Sequence, residues 1–376
     1  MIAAGGTAGH VVPALAIADA LRARGAEVEF IGGERAESEL VPAAGYPFHR
    51  VRVRGLDRRR PVRAALALLL AAGATLRAMR LLRRLRTDAV VGGGGYVAGP
   101  VGLAARLLRL PLVLTEADSH LGVTNRLLAP LAKRVFLAFP IAGRGDAEAR
   151  SGDAPGARPA SRSPWRRRAA RKWVVSGRPV PAATGRADRA GARARFGIGA
   201  DERCVLVFGG SLGARRLNDA ALEAFGSASP CAVIHASGRR DHDDLRRRLD
   251  ALGSPPHYHL RPYIEPFADA LAAADLVVAR AGGSVMELAA AGLPAVLVPY
   301  PHATADHQTG NARFIEQAGA AVVVPDAELD GPRLAREVGS LLAAPQRLGA
   351  MANAARALAK PDAAERIADE LIALAR

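Results

Sequence analysis

At 376 residues and 39.1 kDa the chain is long enough for two α/β domains, and with half its residues hydrophobic it is not a disordered chain. Its two cysteines, Cys204 and Cys231, are too few for a disulfide framework or a cysteine zinc site. A count of 52 Lys and Arg against 36 Asp and Glu leaves +16, which suits an anionic membrane or a phosphorylated substrate as well as nucleic acid; with aromatics at only 4% for base stacking, no nucleic-acid partner is expected.

Met1 runs straight into glycine-rich sequence without a secretory leader, so a cytosolic location is the expectation. Residues 2–4 form an apolar run, short beside the usual five or six. Gly5-Gly6-Thr7-Ala8-Gly9-His10 follows, then a helical pattern from about Val11 to Arg24 and a strand at 28–31. This is strand, glycine turn, helix, strand, the start of a βαβ unit. Residues 64–74 are apolar, with Leu66, Leu68, Leu69 and Leu70, and Arg77, Arg80, Arg83, Arg84 and Arg86 come after them. That stretch is too short to span a bilayer, which takes about 20 residues. It reads either as a buried helix with a charged end or as a helix lying on an anionic surface. Strands at 89–91 and 112–114 come next. Residues 143–171 lack apolar periodicity and carry Arg166-Arg167-Arg168, which predicts a mobile basic insertion beside the interdomain linker.

Near 176–186 the pattern restarts. The apolar run Cys204–Phe208 leads into Gly209-Gly210-Ser211-Leu212-Gly213-Ala214 and a helix through about Ala224. Apolar runs at 232–234, Leu276–Ala279, 295–298 and 321–324 alternate with helical stretches. The predicted fold class is α/β with two Rossmann-like domains, residues 1–178 and 179–356, and a closing helix in 357–376.

Three glycine-rich turns, at 5–10, 92–100 and 209–214, stand between strand and helix. Glycine there lets backbone N–H groups approach a phosphate, and a helix N-terminus adds about half a positive charge. None matches the Gly-Lys-Ser/Thr phosphate loop, and the first is not G-x-G-x-x-G. Two such turns opening two α/β domains suggest a ligand held between them. His10, at a helix start, is either a cap or packed side chain, or a general base titrating near neutral pH. Glu287 follows the strand Leu276–Ala279 and enters a helix, where a carboxylate either faces the dipole or accepts from a ribose diol. His302, Asp306 and His307 share one loop with no second ligand group, so no metal is expected.

In order along the chain, Gly5-Gly6-Thr7-x-Gly9-His10-x-x-Pro13-Ala14, Gly94-Gly95-Tyr96-Val97-x-Gly99-Pro100, Gly209-Gly210-Ser211-x-Gly213-Ala214-Arg215 and Glu287-x-Ala289-Ala290-x-Gly292 with His307-Gln308-x-x-Asn311 resemble the MurG family. These are inverting N-acetylglucosaminyltransferases that complete the lipid-linked peptidoglycan precursor. The resemblance implies the GT-B arrangement: two Rossmann-like domains facing a cleft, and a C-terminal helix crossing back to the first. Ala363–Ala375 suits that helix, with Ile367, Leu371 and Leu374 at helical spacing. It further implies transfer of N-acetylglucosamine from UDP-N-acetylglucosamine to the C4 hydroxyl of undecaprenyl-diphospho-muramyl-pentapeptide. The enzyme would sit peripherally at the cytoplasmic face of the membrane and use no metal or cofactor.

By the same resemblance, substrate contacts fall at Thr7, Ala8 and Gly9 in the first loop, and at Asp118 and Arg178. Ser211 and Gly213 would meet the diphosphate, the backbone of Ile264 the uracil, Tyr263 and Phe267 the edges of the base, Glu287 the ribose and Gln308 the sugar hydroxyls. His10 is the implied catalytic base, with Glu116 and Asp118 as rivals if burial raises either carboxylate. The sequence departs from the family pattern at Ala8, Ala98, Asp118 and Gly177-Arg178-Pro179-Val180-Pro181, and the 280–287 loop is one residue short. A related UDP-sugar glycosyltransferase with another acceptor, or a non-catalytic nucleotide-sugar or nucleic-acid-binding protein of this fold, is the alternative.

Overall fold

Short apolar strands joined by helical crossovers leave little choice but parallel sheets covered on both faces, and the computed structural model has two of them. It describes residues 1–53, 61–141, 172–210 and 213–375, with 61–68 as backbone only. The chain forms two units, one from Met1–Pro181 with Lys360–Arg376, the other from Ala182–Ala359. These limits lie just beyond the 178 and 356 read from the sequence. The reason is local: Arg178 donates to the Gly9 carbonyl at 2.7 Å and Lys360 to the Val175 carbonyl at 2.6 Å, tying both linkers to the first unit. The basic insertion at 143–171 lies outside the described residues.

The first unit contains β1 (Ile2–Ala3), α1 (Ala8–Arg22), β2 (Phe30–Gly32), α2 (Glu37–Ala43), β3 (Phe48–Arg50), α3 (Pro61–Arg84), β4 (Val90–Gly92), α4 (Ala98–Leu107), β5 (Leu112–Glu116), α5 (Val123–Leu128), β6 (Arg134–Leu137) and β7 (Trp173–Val175). The strands make one seven-stranded parallel sheet in the order β3-β2-β1-β4-β5-β6-β7. Successive residues of a strand point to opposite faces, so Ile2 enters a core with Val11, Ile17 and Phe30 while Ala3 enters another with Val101, Leu112 and Leu114. α1 starts at Ala8 rather than near Val11, because the Thr7 carbonyl already accepts from the amides of His10 and Val11. α3 serves two faces: Ala74, Ala78 and Leu82 are buried, whereas Leu69 and Leu76 are 72% and 55% exposed, with Arg77, Arg80, Arg83 and Arg84 exposed beside them. Among the described residues no helix is long and apolar enough to cross a membrane.

The second unit contains α6 (Arg189–Phe196), β8 (Cys204–Phe208), α7 (Arg215–Phe225), β9 (Ala232–Ala236), α8 (His242–Ala251), β10 (Tyr258–Arg261), α9 (Phe267–Ala273), β11 (Leu276–Ala279), α10 (Val285–Ala291), β12 (Ala295–Leu297), α11 (His307–Gln317), β13 (Ala321–Val323), α12 (Gly331–Leu342) and α13 (Pro345–Leu358). Its six parallel strands run β10-β9-β8-β11-β12-β13. The last helix, α14 (Ala363–Ala375), belongs to the first unit: Ala364, Ile367, Ala368 and Leu371 are buried against Ile2, Val11, Ala14 and Ile17. Arg24 and Arg134 hold it from outside through Asp369 at 2.5 Å and Glu370 at 2.6 Å.

In each sheet the strand order reverses once near its middle, between β1 and β4 and between β8 and β11. Loops leaving the carboxyl ends of such a pair diverge and open a crevice, the usual ligand position in doubly wound folds.

Candidate active site

At the first switch point the turns after β1 and β4 are pressed together. Gly95 has φ +77, and a Cβ there would stand 2.0 Å from the Gly5 carbonyl oxygen. Gly94, at φ +87, lies so close to His10 that a Cβ would meet the imidazole Cδ2 at 2.6 Å. Only glycine permits either approach. Thr7 is exposed at the N-cap of α1, with its Oγ1 3.4 Å from His10 Nδ1, and Ala8, Gly9 and His10 make the first helical turn. His10 is half-buried, on a helix N-terminus in a glycine-lined crevice. Arg178 lies beneath this turn, 3% exposed, and donates to the Gly9 carbonyl.

The loop after β5, the next strand over, is organised by Glu116, which is buried. Its Oε1 accepts from the amides of Ala117 at 3.0 Å and Asp118 at 3.3 Å, and its Oε2 from Gly122 N–H and Asn125 Nδ2, both at 2.9 Å. Burial pushes this carboxyl above the usual range, against the pull of those donors. With both oxygens occupied, Glu116 shapes the loop that presents half-buried Asp118.

Sequence reasoning passed over a second buried carboxylate, Glu37 at the start of α2, fully buried. Its Oε2 accepts from Gly6 N–H at 2.8 Å, and its Oε1 from Gly33 N–H at 2.9 Å and the Tyr96 hydroxyl at 3.1 Å. The one available signal was an acidic residue in a helical first turn just after Gly32-Gly33, a position also explained by the helix dipole.

At the second switch point the turn after β8 meets the loop after β9. Ser211 lies outside the described residues. Gly213, at φ +74, lies against the Ser237 carbonyl, which a Cβ would meet at 2.4 Å. Beneath it runs a buried polar chain that the sequence did not reveal. Asp241 accepts from Arg215 at 3.1 Å, Arg240 at 3.1 Å and Asn218 at 3.2 Å; Asn218 meets His235, and His235 meets Tyr258. The Arg240 and Arg215 guanidiniums hold the Asp241 carboxyl below its ordinary range although burial opposes them.

Phe267 opens α9 edge-on to Phe208, ring centroids 5.0 Å apart. Ile264 is buried beside it in sequence, while Tyr263 is 44% exposed under the Arg239 guanidinium. Burial raises the Tyr263 phenol, and the Glu265 and Glu287 carboxylates add to this against the opposing Arg239 guanidinium. Glu287 itself is half-buried in the first turn of α10. Gln308 accepts from Tyr300 N–H at 2.9 Å, and a Cβ on Gly282 would stand 3.9 Å from its Nε2. Buried Asn311 donates to the Ala281 carbonyl at 3.1 Å, tying α11 to the loop after β11. Ahead of α11, Ala305 and Asp306 both take left-handed backbone angles, φ +53 and +52, a strained conformation of the kind that collects at binding sites.

The structure therefore groups Thr7, Ala8, Gly9, His10 and Arg178 at one switch point, with Asp118 on the neighbouring loop, and gathers Gly213, Tyr263, Ile264, Phe267, Glu287 and Gln308 on loops and helix starts at the carboxyl edge of the other sheet. Among the described residues, no cluster of three or more His, Cys, Asp or Glu could hold a metal ion.

Comparison with known proteins gives a consistent answer. The profile of the glycosyltransferase family 28 N-terminal domain matches residues 1–137, and that of the family 28 C-terminal domain matches 204–367. The UDP-N-acetylglucosamine–N-acetylmuramyl-(pentapeptide) pyrophosphoryl-undecaprenol N-acetylglucosamine transferase of Moorella thermoacetica is 43% identical over 98% of this chain and 96% of its own. The protein of the same name from Alkalilimnicola ehrlichii is 44% identical over 98% and 96%. The crystal structure of Acinetobacter baumannii MurG superposes with a TM-score of 0.71 at 32% identity, covering 99% of this chain and 98% of that one. Fold and switch-point turns thus define a glycosyltransferase of the GT-B class. The chain belongs to family 28 of these enzymes and, within it, to the MurG family.

Proposed function

We infer that the protein transfers N-acetylglucosamine from UDP-N-acetylglucosamine to the C4 hydroxyl of the muramyl sugar in undecaprenyl-diphospho-muramyl-pentapeptide, forming the disaccharide precursor of peptidoglycan. The observation that carries this reading is the matched placement of His10 and Glu287. Each lies in the first turn of a helix leaving a strand that borders its sheet's switch point. The first unit then offers a base and the second a nucleotide acceptor group.

In this reading the amides of the 209–214 turn and the N-terminus of α7 receive the diphosphate. Glu287 accepts from the ribose hydroxyls, Gln308 contacts the sugar, and Tyr263, Ile264 and Phe267 surround the uracil. Thr7, Ala8, Gly9 and Arg178 form or support the first unit's side of the site, and Asp118, at the position of a family asparagine, contacts the donor sugar. His10 removes the C4 proton as that oxygen attacks the anomeric carbon from the face opposite UDP. The new carbon–oxygen bond forms while the bond to the diphosphate breaks, its electron pair leaving with UDP, so the configuration inverts. Fixed amides and helix termini stabilise the leaving charge, and no resident metal or cofactor is required. A polyprenyl acceptor places the work at the cytoplasmic face of the membrane. The exposed leucines of α3 and α4, Leu69, Leu76, Leu103 and Leu107, with their neighbouring arginines, suit a peripheral contact with anionic lipid.

The test is transfer of labelled sugar from UDP-N-acetylglucosamine to the lipid-linked muramyl-pentapeptide, with the product's anomeric configuration read by NMR. Inverted product formed in step with UDP is expected. UDP release without product, or transfer to another acceptor alone, refutes the reading. His10→Ala is expected to lower kcat by about 10²–10⁴-fold while UDP still binds; turnover within about threefold of the parent would pass the role to Asp118.

A further inference from the structure

We propose that Glu37 is a positioning residue of the transfer reaction: its buried carboxylate draws the loops after β1, β2 and β4 together and thereby fixes where His10 stands. The inference rests on the role proposed above for His10.

Three donors converge on Glu37 from three different loops, Gly6 N–H, Gly33 N–H and the Tyr96 hydroxyl. The backbone comes this close only because the positions are glycine. A Cβ on Gly5 would lie 2.8 Å from Glu37 Oε1, and one on Gly33 would lie 2.2 Å from the Tyr96 hydroxyl oxygen. Burial alone would favour the protonated acid, yet the amides of Gly6, Glu37 itself and Gly33, with the Tyr96 hydroxyl, hold the carboxyl below its ordinary range. Glu37 is therefore an anion with both oxygens engaged, suited to holding loops rather than to exchanging a proton.

Two short routes lead from it to His10. One runs through Tyr96 to the preceding Gly94-Gly95 turn, which presses on the His10 ring and on the Gly5 carbonyl. The other runs through Gly6 to Thr7, whose Oγ1 lies 3.4 Å from His10 Nδ1. Both walls of the imidazole's position hang on one carboxylate. An amide cannot replace it, because glutamine offers one acceptor oxygen, and its NH2 faces a backbone N–H whichever way the group is turned.

A purely structural role would lower the melting temperature and leave the chemistry alone. The experiment compares parent, Glu37→Gln, Glu37→Asp and Tyr96→Phe in melting temperature, transfer kinetics and NMR titration of the His10 ring, assigned by the signal lost in His10→Gln. Folded Glu37→Gln is expected to lose about 10- to 100-fold in kcat, since misplacement by about 1 Å costs on the order of 10²-fold. Its KM for UDP-N-acetylglucosamine should stay within about twofold, its His10 titration should move, and Glu37→Asp should recover part of the loss. A folded Glu37→Gln with parental kcat and an unmoved His10 titration overturns the proposal. If Glu37→Gln does not fold, Tyr96→Phe and Glu37→Asp decide: reduced kcat at unchanged donor KM supports the proposal, and parental kcat in both overturns it. Should the parent transfer no sugar, the functional reading fails, and the His10 titration alone decides whether Glu37 positions the ring.

Discussion

Acid should loosen the second unit most through His235, although burial lowers the pKa of His242 and His259 as well. It is fully buried on β9, its Nδ1 2.8 Å from the Tyr258 hydroxyl and its Nε2 3.0 Å from Asn218 Oδ1. Asn218 donates its two amide hydrogens to the Ser237 carbonyl and to Asp241, so its Oδ1 must accept. Nε2 therefore carries the proton, and Nδ1 accepts from Tyr258. The ring is satisfied as a neutral tautomer, and burial, with His242 adding to it, pushes its pKa down from 6.5 to about 3. Above pH 6.5 the ring is neutral in folded and unfolded chains and contributes no pH dependence. Below it the unfolded chain binds a proton that the folded one refuses, and stability falls by about 1.4 kcal/mol per pH unit until the folded pKa is reached. Between pH 6.5 and pH 5 that is about 2 kcal/mol, a large share of the roughly 5–15 kcal/mol that holds a domain together. Urea unfolding of parent and His235→Gln from pH 8 to pH 5 measures it. The variant is less stable at pH 8, having lost the bridge between Tyr258 and Asn218, but its curve is flatter in acid, and the gap closes by about 2 kcal/mol at pH 5. Parallel curves over that range would refute the reasoning.

Glu287→Ala is expected to weaken UDP binding by about 1–3 kcal/mol, the usual loss for hydrogen bonds to a charged group, and calorimetry showing undiminished affinity would remove the ribose assignment. Replacing Leu69 and Leu76 by Ser should leave the protein folded, since they are 72% and 55% exposed, while reducing its binding to vesicles of anionic lipid. Parental binding should weaken with added salt as the arginines are screened; a folded variant with unchanged vesicle binding would exclude α3 as the contact.

Some elements announce themselves in the sequence and others do not, for physical reasons. β8, β11 and α14 stand where their apolar runs place them, because each is surrounded by its own core. β3 and β10 left no comparable run, and β7 offers only Trp173-Val174-Val175 beside the basic insertion. They are outer strands of their sheets, and β3 and β10 carry His49, Arg50, His259 and Arg261 on surfaces that never close over. The glycine turns were legible because the required backbone angles and close contacts admit almost nothing but glycine. Glu37 was not, since its partners are mostly backbone amides, one of them 31 residues away, and any sequence has those. The same holds for Asp241 and Asn218, whose partners are assembled by the fold.

The route of the chain through α14 also bears on how the protein is made. Residues 182–359 form the second unit without a break, so every residue of its core is at hand once that stretch has been synthesised. The first unit begins earlier but must wait, because Ile2, Val11 and Ile17 are covered by Ile367 and Leu371. During translation its opening half therefore carries an apolar strip that stays uncovered until residues 363–375 have been made. A chain cut short between 360 and 362 would contain the whole second unit joined to a first unit lacking one wall of its core, a product for chaperones or proteases to handle.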